Sequence, residues 1–94
     1  MTDRDPTTRR SAVIVDYHAG PFLADCVRSL GDQGLAELII VENGDADAAR
    51  ATLAAHGMEG TALLATGRNL GYGAGANRGL AAIGRGEHLS LIHI

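Results

Sequence analysis

Four short apolar runs alternate with three helical patterns between residues 11 and 94, and this alternation constrains the fold more than any other feature. The first run, Ala12 to Tyr17, is continuous and rich in β-branched residues, as in a strand that is buried on both faces. The other three runs are Glu37 to Glu42, Thr61 to Ala65 and His88 to Ile94. Strands that alternate with helices at this spacing predict a parallel sheet with right-handed crossovers.

We therefore predict an α/β fold, a three-layer, Rossmann-like half-domain with about four parallel strands and three helices. The crossovers place the first two helices on one face of the sheet and the third helix on the other. Residues 11–94 form this unit, and the polar, charged residues 1–10 form a flexible leader. Asp45 or Asp47 caps the second helix, and the third helix begins at about Gly75.

Composition narrows the possible functions. The net charge of -3 and the isoelectric point near 5.7 argue against a nucleic-acid-binding protein, which would present a basic face. The single cysteine, Cys26, allows no internal disulfide and fits a reducing compartment. The N-terminal residues lack the apolar core of a signal peptide, and no apolar run is long enough to span a bilayer. These features predict a cytoplasmic protein.

Polar residues collect where three of the predicted strands end. The first strand ends in Asp16-Tyr17-His18, the second in Glu42-Asn43-Gly44, and Arg68-Asn69 follows the third. Ligands of open parallel sheets bind outside the carboxyl ends of the strands, so these three clusters face one crevice. Taken singly, Asn43-Gly44 is turn chemistry and Arg68 is a solvated side chain, but their coincidence at one sheet edge predicts a ligand site.

The glycine-rich run GRNLGYGAGANRG, from Gly67 to Gly79, lies beside this crevice. Glycine lets a ligand approach the backbone closely, so the run suggests a nucleotide or phosphate ligand. Residues 71–76 formally match the G-x-G-x-x-G/A dinucleotide fingerprint. That fingerprint belongs directly after the first strand of a βαβ unit, whereas here it follows the third. An NAD(P)- or FAD-binding Rossmann oxidoreductase is therefore the second interpretation.

Three segments together resemble a family of enzymes. A strand ending in DYHAG, a second ending in VENGDAD, and then GRNLGYGAGANRGL are similar to a family 2 glycosyltransferase of the GT-A fold, of the bacterial rhamnosyltransferase-like kind. The resemblance extends from about Ala12 to His88. It implies that the chain is the N-terminal, nucleotide-sugar-binding part of such a domain.

The resemblance also implies roles for individual residues. Tyr17 would lie against the base, and Glu42, in place of the usual Asp, would hydrogen-bond the base or ribose, with Asn43 beside it. Arg68 and Asn69 would reach the nucleotide. The remaining implied binding residues are in the glycine-rich run, where the backbone allows close approach and an asparagine opens the third helix: Gly71, Gly73 and Asn77.

For the whole enzyme, the resemblance implies a UDP- or dTDP-sugar donor, a glycan or lipid-linked acceptor and no nucleic-acid partner. It implies a divalent metal, Mg or Mn, but the Asp-containing motif that holds it is absent after HLSLIHI. No catalytic residue can be named, so we expect a fragment with weak or no transferase activity. Location in the cytoplasm, at the inner face of the membrane, and a role in cell-wall or polysaccharide biosynthesis are further expectations.

Two other interpretations remain open from the sequence. A nucleotidyltransferase would have a similar sheet, but its glycine-rich loop would follow the first strand. A non-catalytic interaction module would have no affinity for nucleotides, and substitution of Glu42 and Arg68 would change only its stability.

Overall fold

The computed structural model describes residues 10–32, 37–83 and 88–94 and contains seven elements within them. In chain order they are β1 (Arg10–Asp16), α1 (Pro21–Gly31), β2 (Glu37–Glu42), α2 (Ala46–Ala55), β3 (Ala62–Ala65), α3 (Gly71–Ala82) and β4 (His88–His93). The predicted α/β class, with four strands and three helices, is confirmed. Residues 1–9 of the predicted leader lie outside the described residues, and β1 begins at Arg10.

The four strands form one parallel sheet in the order β3-β2-β1-β4. The chain moves from β1 outward to β3 and then returns to the other side of β1 to add β4. This return is the reversal of strand order at which ligands of such sheets bind. In the register of the central pair, Asp16 lies opposite Glu42, so the two acids end neighbouring strands side by side.

Alternate residues of the strands build two cores, one on each face of the sheet. Ile14 and Ile40 pack with Leu23 of α1 and Leu53 of α2 on one face. On the other face a valine cluster packs against Ala76 of α3. The predicted distribution of the helices over the two faces is therefore confirmed. Leu91 of β4 is 44% exposed because α3 lies over β1 and β2 rather than over β4.

The third helix begins earlier than the sequence suggests. It starts at Gly71 rather than at about Gly75, so most of the glycine-rich run is helical. Glycine weakens a helix by about 1 kcal/mol per residue, but tertiary packing can outweigh this cost. Here Gly75 and Gly79 lie on the buried side of α3, where they let the helix approach β1 and β2 closely. Asp45 caps α2 as predicted, with its carboxylate accepting a hydrogen bond from the Ala48 N–H at 3.0 Å.

Candidate functional site

Two buried acids meet at the carboxyl edge of the central strands. Asp16 and Glu42 are only 2% and 1% exposed, and both project toward the face that α1 and α2 cover. One oxygen of Asp16 accepts a hydrogen bond from the Ala19 N–H at 3.1 Å. Oε2 of Glu42 accepts one from the Gly44 N–H at 3.0 Å. Each acid is thus fixed by the turn that follows its own strand.

The two acids interact strongly. Burial, followed by the hydrogen bond and negative charge of Asp16, raises the pKa of Glu42 to about 8, although the Gly44 N–H opposes the shift. Within the described residues, Oε1 of Glu42 is buried and has no hydrogen-bond partner. A buried oxygen without a donor is costly, and such groups call for a functional or structural explanation.

A cavity of about 170 Å³ opens in front of this pair. Its walls come from the turn after β1, from Leu23 of α1 and from the first two turns of α2. His18 and Asp45 contribute the remaining ionisable groups of the lining. A larger groove of about 630 Å³ lies at the opposite edge of the sheet, around the amino ends of β2 and β3, and contains none of the predicted site residues. The smaller cavity is therefore the candidate site.

Asn43 connects the site to the glycine-rich segment. It is 2% exposed, and its Nδ2 donates a hydrogen bond to the Gly71 carbonyl at 3.1 Å. Its Oδ1 accepts a hydrogen bond from the Thr66 hydroxyl at 2.9 Å. The same hydroxyl lies 2.6 Å from the Arg68 carbonyl oxygen. Asn43 and Thr66 thus hold the β3–α3 loop against the end of β2. The sequence does not reveal this role of Thr66, because its hydrogen bonds to Asn43 and to the Glu42 carbonyl each span more than twenty residues.

Tyr17, Arg68 and Asn69 lie at the same carboxyl edge of the sheet, outside the lining of the cavity. Tyr17 is 46% exposed, and its ring centroid lies 4.3 Å from that of His18, which has a φ of 56°. Arg68 and Asn69 are exposed in the loop before α3, and the Asn69 Oδ1 accepts a hydrogen bond from the Gly71 N–H at 2.8 Å. An aromatic ring and a guanidinium group are therefore both accessible from solvent at the carboxyl edge of the sheet.

The glycines of the run serve two different purposes. A Cβ on Gly71 or Gly73 would meet no atom within 4 Å, so both remain open to an approaching ligand. Gly71 also has a φ of 80°, which favours glycine. A Cβ on Gly75, by contrast, would lie 2.9 Å from Val15 and 3.1 Å from Asn43, so this glycine serves packing. The prediction that Asn77 opens the helix is wrong, since it lies exposed in the middle of α3.

A family comparison decides what kind of domain this is. The family described as Glycosyl transferase family 2 matches residues 11–90, which is most of the chain. The chain belongs to glycosyl transferase family 2. No curated protein and no solved structure matches it. The parallel sheet, with helices on both faces, is the GT-A-type, Rossmann-like half-domain that this membership implies.

The described residues do not fit a metal site. Members of family 2 often use a divalent metal, yet no group of three or more His, Cys, Asp or Glu residues in the described ranges could hold one. Asp16 and Glu42 lie side by side, but they are two acids, and one oxygen of each already accepts a backbone hydrogen bond. Such a pair is a poor ligand set for a hard cation.

None of the described helices is long and apolar enough to cross a membrane.

The contribution of Asn43 to the fold can be measured as a change in the free energy of unfolding. Asn43→Ala is expected to lower the free energy of unfolding by about 1–3 kcal/mol, because it removes the buried hydrogen bonds of Asn43 to the Gly71 carbonyl and the Thr66 hydroxyl. Asn77→Ala is the matched control, since Asn77 is exposed in α3 and alanine favours helix. Urea unfolding followed by circular dichroism compares the two. Equal stability of both variants would refute the proposed connection.

Proposed function

We propose that this glycosyltransferase domain binds the nucleotide of a UDP- or dTDP-sugar donor at the carboxyl edge of β1 and β2. The observation that carries the proposal is Oε1 of Glu42, a buried and unpartnered oxygen in a residue that lines a cavity at the carboxyl ends of β1 and β2. A base N–H donated to this oxygen would satisfy it. A buried polar group left unsatisfied costs about 1–3 kcal/mol, so the contact would be a substantial part of the binding energy.

The other parts of the nucleotide have suitable surroundings. The exposed ring of Tyr17 offers a flat surface for the base. The first turn of α3, with the open backbone of Gly71 and Gly73, presents the positive end of the helix dipole to the diphosphate. Arg68 adds the positive charge that a phosphate favours. Support for each of these contacts is their position on one edge of the sheet.

The reaction proposed for the whole enzyme is sugar transfer to a glycan or a lipid-linked acceptor. The acceptor hydroxyl loses its proton to a base and attacks the anomeric carbon, and the bond from that carbon to the diphosphate oxygen breaks. This chain would hold the departing nucleoside diphosphate in place. We also propose a cytoplasmic location, with peripheral association at the inner face of the membrane, and a role in cell-wall or polysaccharide biosynthesis. Weak or absent transfer by the 94 residues alone stays a prediction.

Binding calorimetry with UDP-glucose, dTDP-glucose and NADH tests the proposal. A sugar nucleotide is expected to bind and NADH is not, because the fingerprint glycines lie inside α3 rather than after β1. Glu42→Leu, which removes the acceptor at similar volume, and Arg68→Ala are each expected to weaken binding by about tenfold or more.

Two exposed residues away from the cavity provide matched controls. Glu59→Ala and Arg50→Ala change the same charges at exposed positions and should bind like the natural sequence. Tight NADH binding would favour the oxidoreductase interpretation. The absence of binding by all three ligands would favour the non-catalytic interaction module.

A further inference from the structure

In the part of the chain that the structure describes, no cationic side chain pairs with Asp16 or Glu42. The two residues face each other across the β1–β2 register, and both are almost completely buried. Among the residues that the structure describes, the ion pair present is that of Arg28 with Asp25 on α1, and neither member of the buried pair takes part in it. Two ionised carboxylates that lie side by side on neighbouring strands repel each other, and each can only accept hydrogen bonds. A hydrogen bond between them therefore requires that one of them keep a proton.

The unpartnered oxygen shows where this arrangement is incomplete. Oε2 of Glu42 is satisfied by the Gly44 N–H, whereas Oε1 is buried without a donor. A ligand N–H that enters the cavity would supply that donor. A donated hydrogen bond stabilises the ionised carboxylate, so the ligand and the shared proton compete for the same pair.

Resting on the proposed nucleotide site, we propose that the Asp16–Glu42 pair gives up its shared proton to solvent when the donor nucleotide binds. Asp16 is then a positioning residue of the site, which sets the pH dependence of donor binding through Glu42. Donor affinity consequently rises with pH, until Glu42 is ionised in the empty site as well. The pKa of about 8 for Glu42 in the empty site sets the upper end of this range.

Within the described residues, three other ionisable side chains lie near the pair: Asp45, Cys26 and His18. Asp45, at the start of α2, adds negative charge that raises the pKa of Glu42. Cys26 of α1 remains a thiol, because burial and then the charge of Asp16 raise its pKa. His18, on the turn after β1, lies close to Gly44 and Glu42. Its imidazole is another ionisable side chain beside the pair, so it needs its own control.

Calorimetry with UDP-glucose at pH 6.5 and pH 8 tests the proposal. This probe is preferred to UDP, whose terminal phosphate titrates near pH 6. Binding is expected to be roughly tenfold tighter at pH 8, and a comparison of buffers with different ionisation enthalpies should show release of up to one proton. Asp16→Asn should bind at pH 6.5 at least as tightly as the natural sequence and should lose the pH dependence. Asp16→Ser provides the same test if the first variant does not fold.

The controls separate this proposal from the one on which it rests. His18→Asn keeps a residue that tolerates positive φ and should retain the pH dependence. Binding of UDP-glucose with no pH dependence, or with proton uptake, would overturn the shared-proton proposal and leave the nucleotide site intact. Loss of the pH dependence in His18→Asn alone would also overturn it. No binding of UDP-glucose or dTDP-glucose at either pH would overturn the nucleotide site and this proposal together.

Discussion

Raising the pH from 5 to 9 is expected to lower the free energy of unfolding by a few kcal/mol, through the loss of the proton that the Asp16–Glu42 pair holds. In the folded chain Glu42 keeps its proton up to a pKa of about 8, whereas the ordinary value is 4.5. At pH values between 4.5 and about 8, unfolding releases the proton of Glu42, so the free energy of unfolding falls as the pH rises. The contribution is fully present below pH 4.5 and is lost as the pH passes about 8.

Glu42→Gln isolates this effect from the other titrations of the chain. The amide oxygen can still accept the Gly44 hydrogen bond, and the amide NH₂ can donate to Asp16, but nothing at this position titrates. The variant should be more stable than the natural sequence at pH 9, with a smaller loss of stability between pH 5 and pH 9. Urea unfolding at a series of pH values measures both. The same pH slope in both chains would mean that Glu42 is ionised throughout and the pair shares no proton.

The sequence predicts the fold well because hydrophobic patterning carries most of the information about it. Continuous apolar runs such as Ala12 to Val15 predict buried parallel strands, and the structure confirms these strands and the placement of α3 on the face opposite α1 and α2. The start of α3 is different, because the glycines argue against a helix by local propensity. Close packing of Gly75 and Gly79 on the sheet overrides that propensity, and no local pattern reveals such packing.

The candidate site is predictable only where a local sequence pattern marks a residue. An acid that ends an apolar run at the ligand-binding edge, as Glu42 does, is visible in the sequence. Its partner is not, because Asp16 meets Glu42 only through the register of β1 and β2. The hydrogen bonds that join Asn43 to Thr66 and Gly71 are equally invisible, since they connect residues far apart in the chain. The roles of Tyr17 and the other predicted binding residues stay predictions until a ligand is tested.

Gly79→Ala is expected to lower the free energy of unfolding by about 2 kcal/mol or more, although alanine is the better helix former. A Cβ at this position would clash with a γ-methyl of Val13 and lie 3.0 Å from one of Val41, and both valines are completely buried. Because neither valine can move away into solvent, α3 would have to move off the sheet. This displacement would also shift Gly71 and the loop that Asn43 holds.

Gly73→Ala is the matched control in the same helix, because a Cβ there would meet no atom within 4 Å. It should stabilise the chain by about 0.5–1 kcal/mol through helix propensity and a less flexible unfolded state. Urea unfolding of both variants compares the two positions directly. If Gly79→Ala were as stable as Gly73→Ala, α3 would not lie against the valines of β1 and β2. The division of the glycine-rich run into a packing part and a ligand-facing part would then be wrong, since that division depends on the close approach of this helix to the sheet.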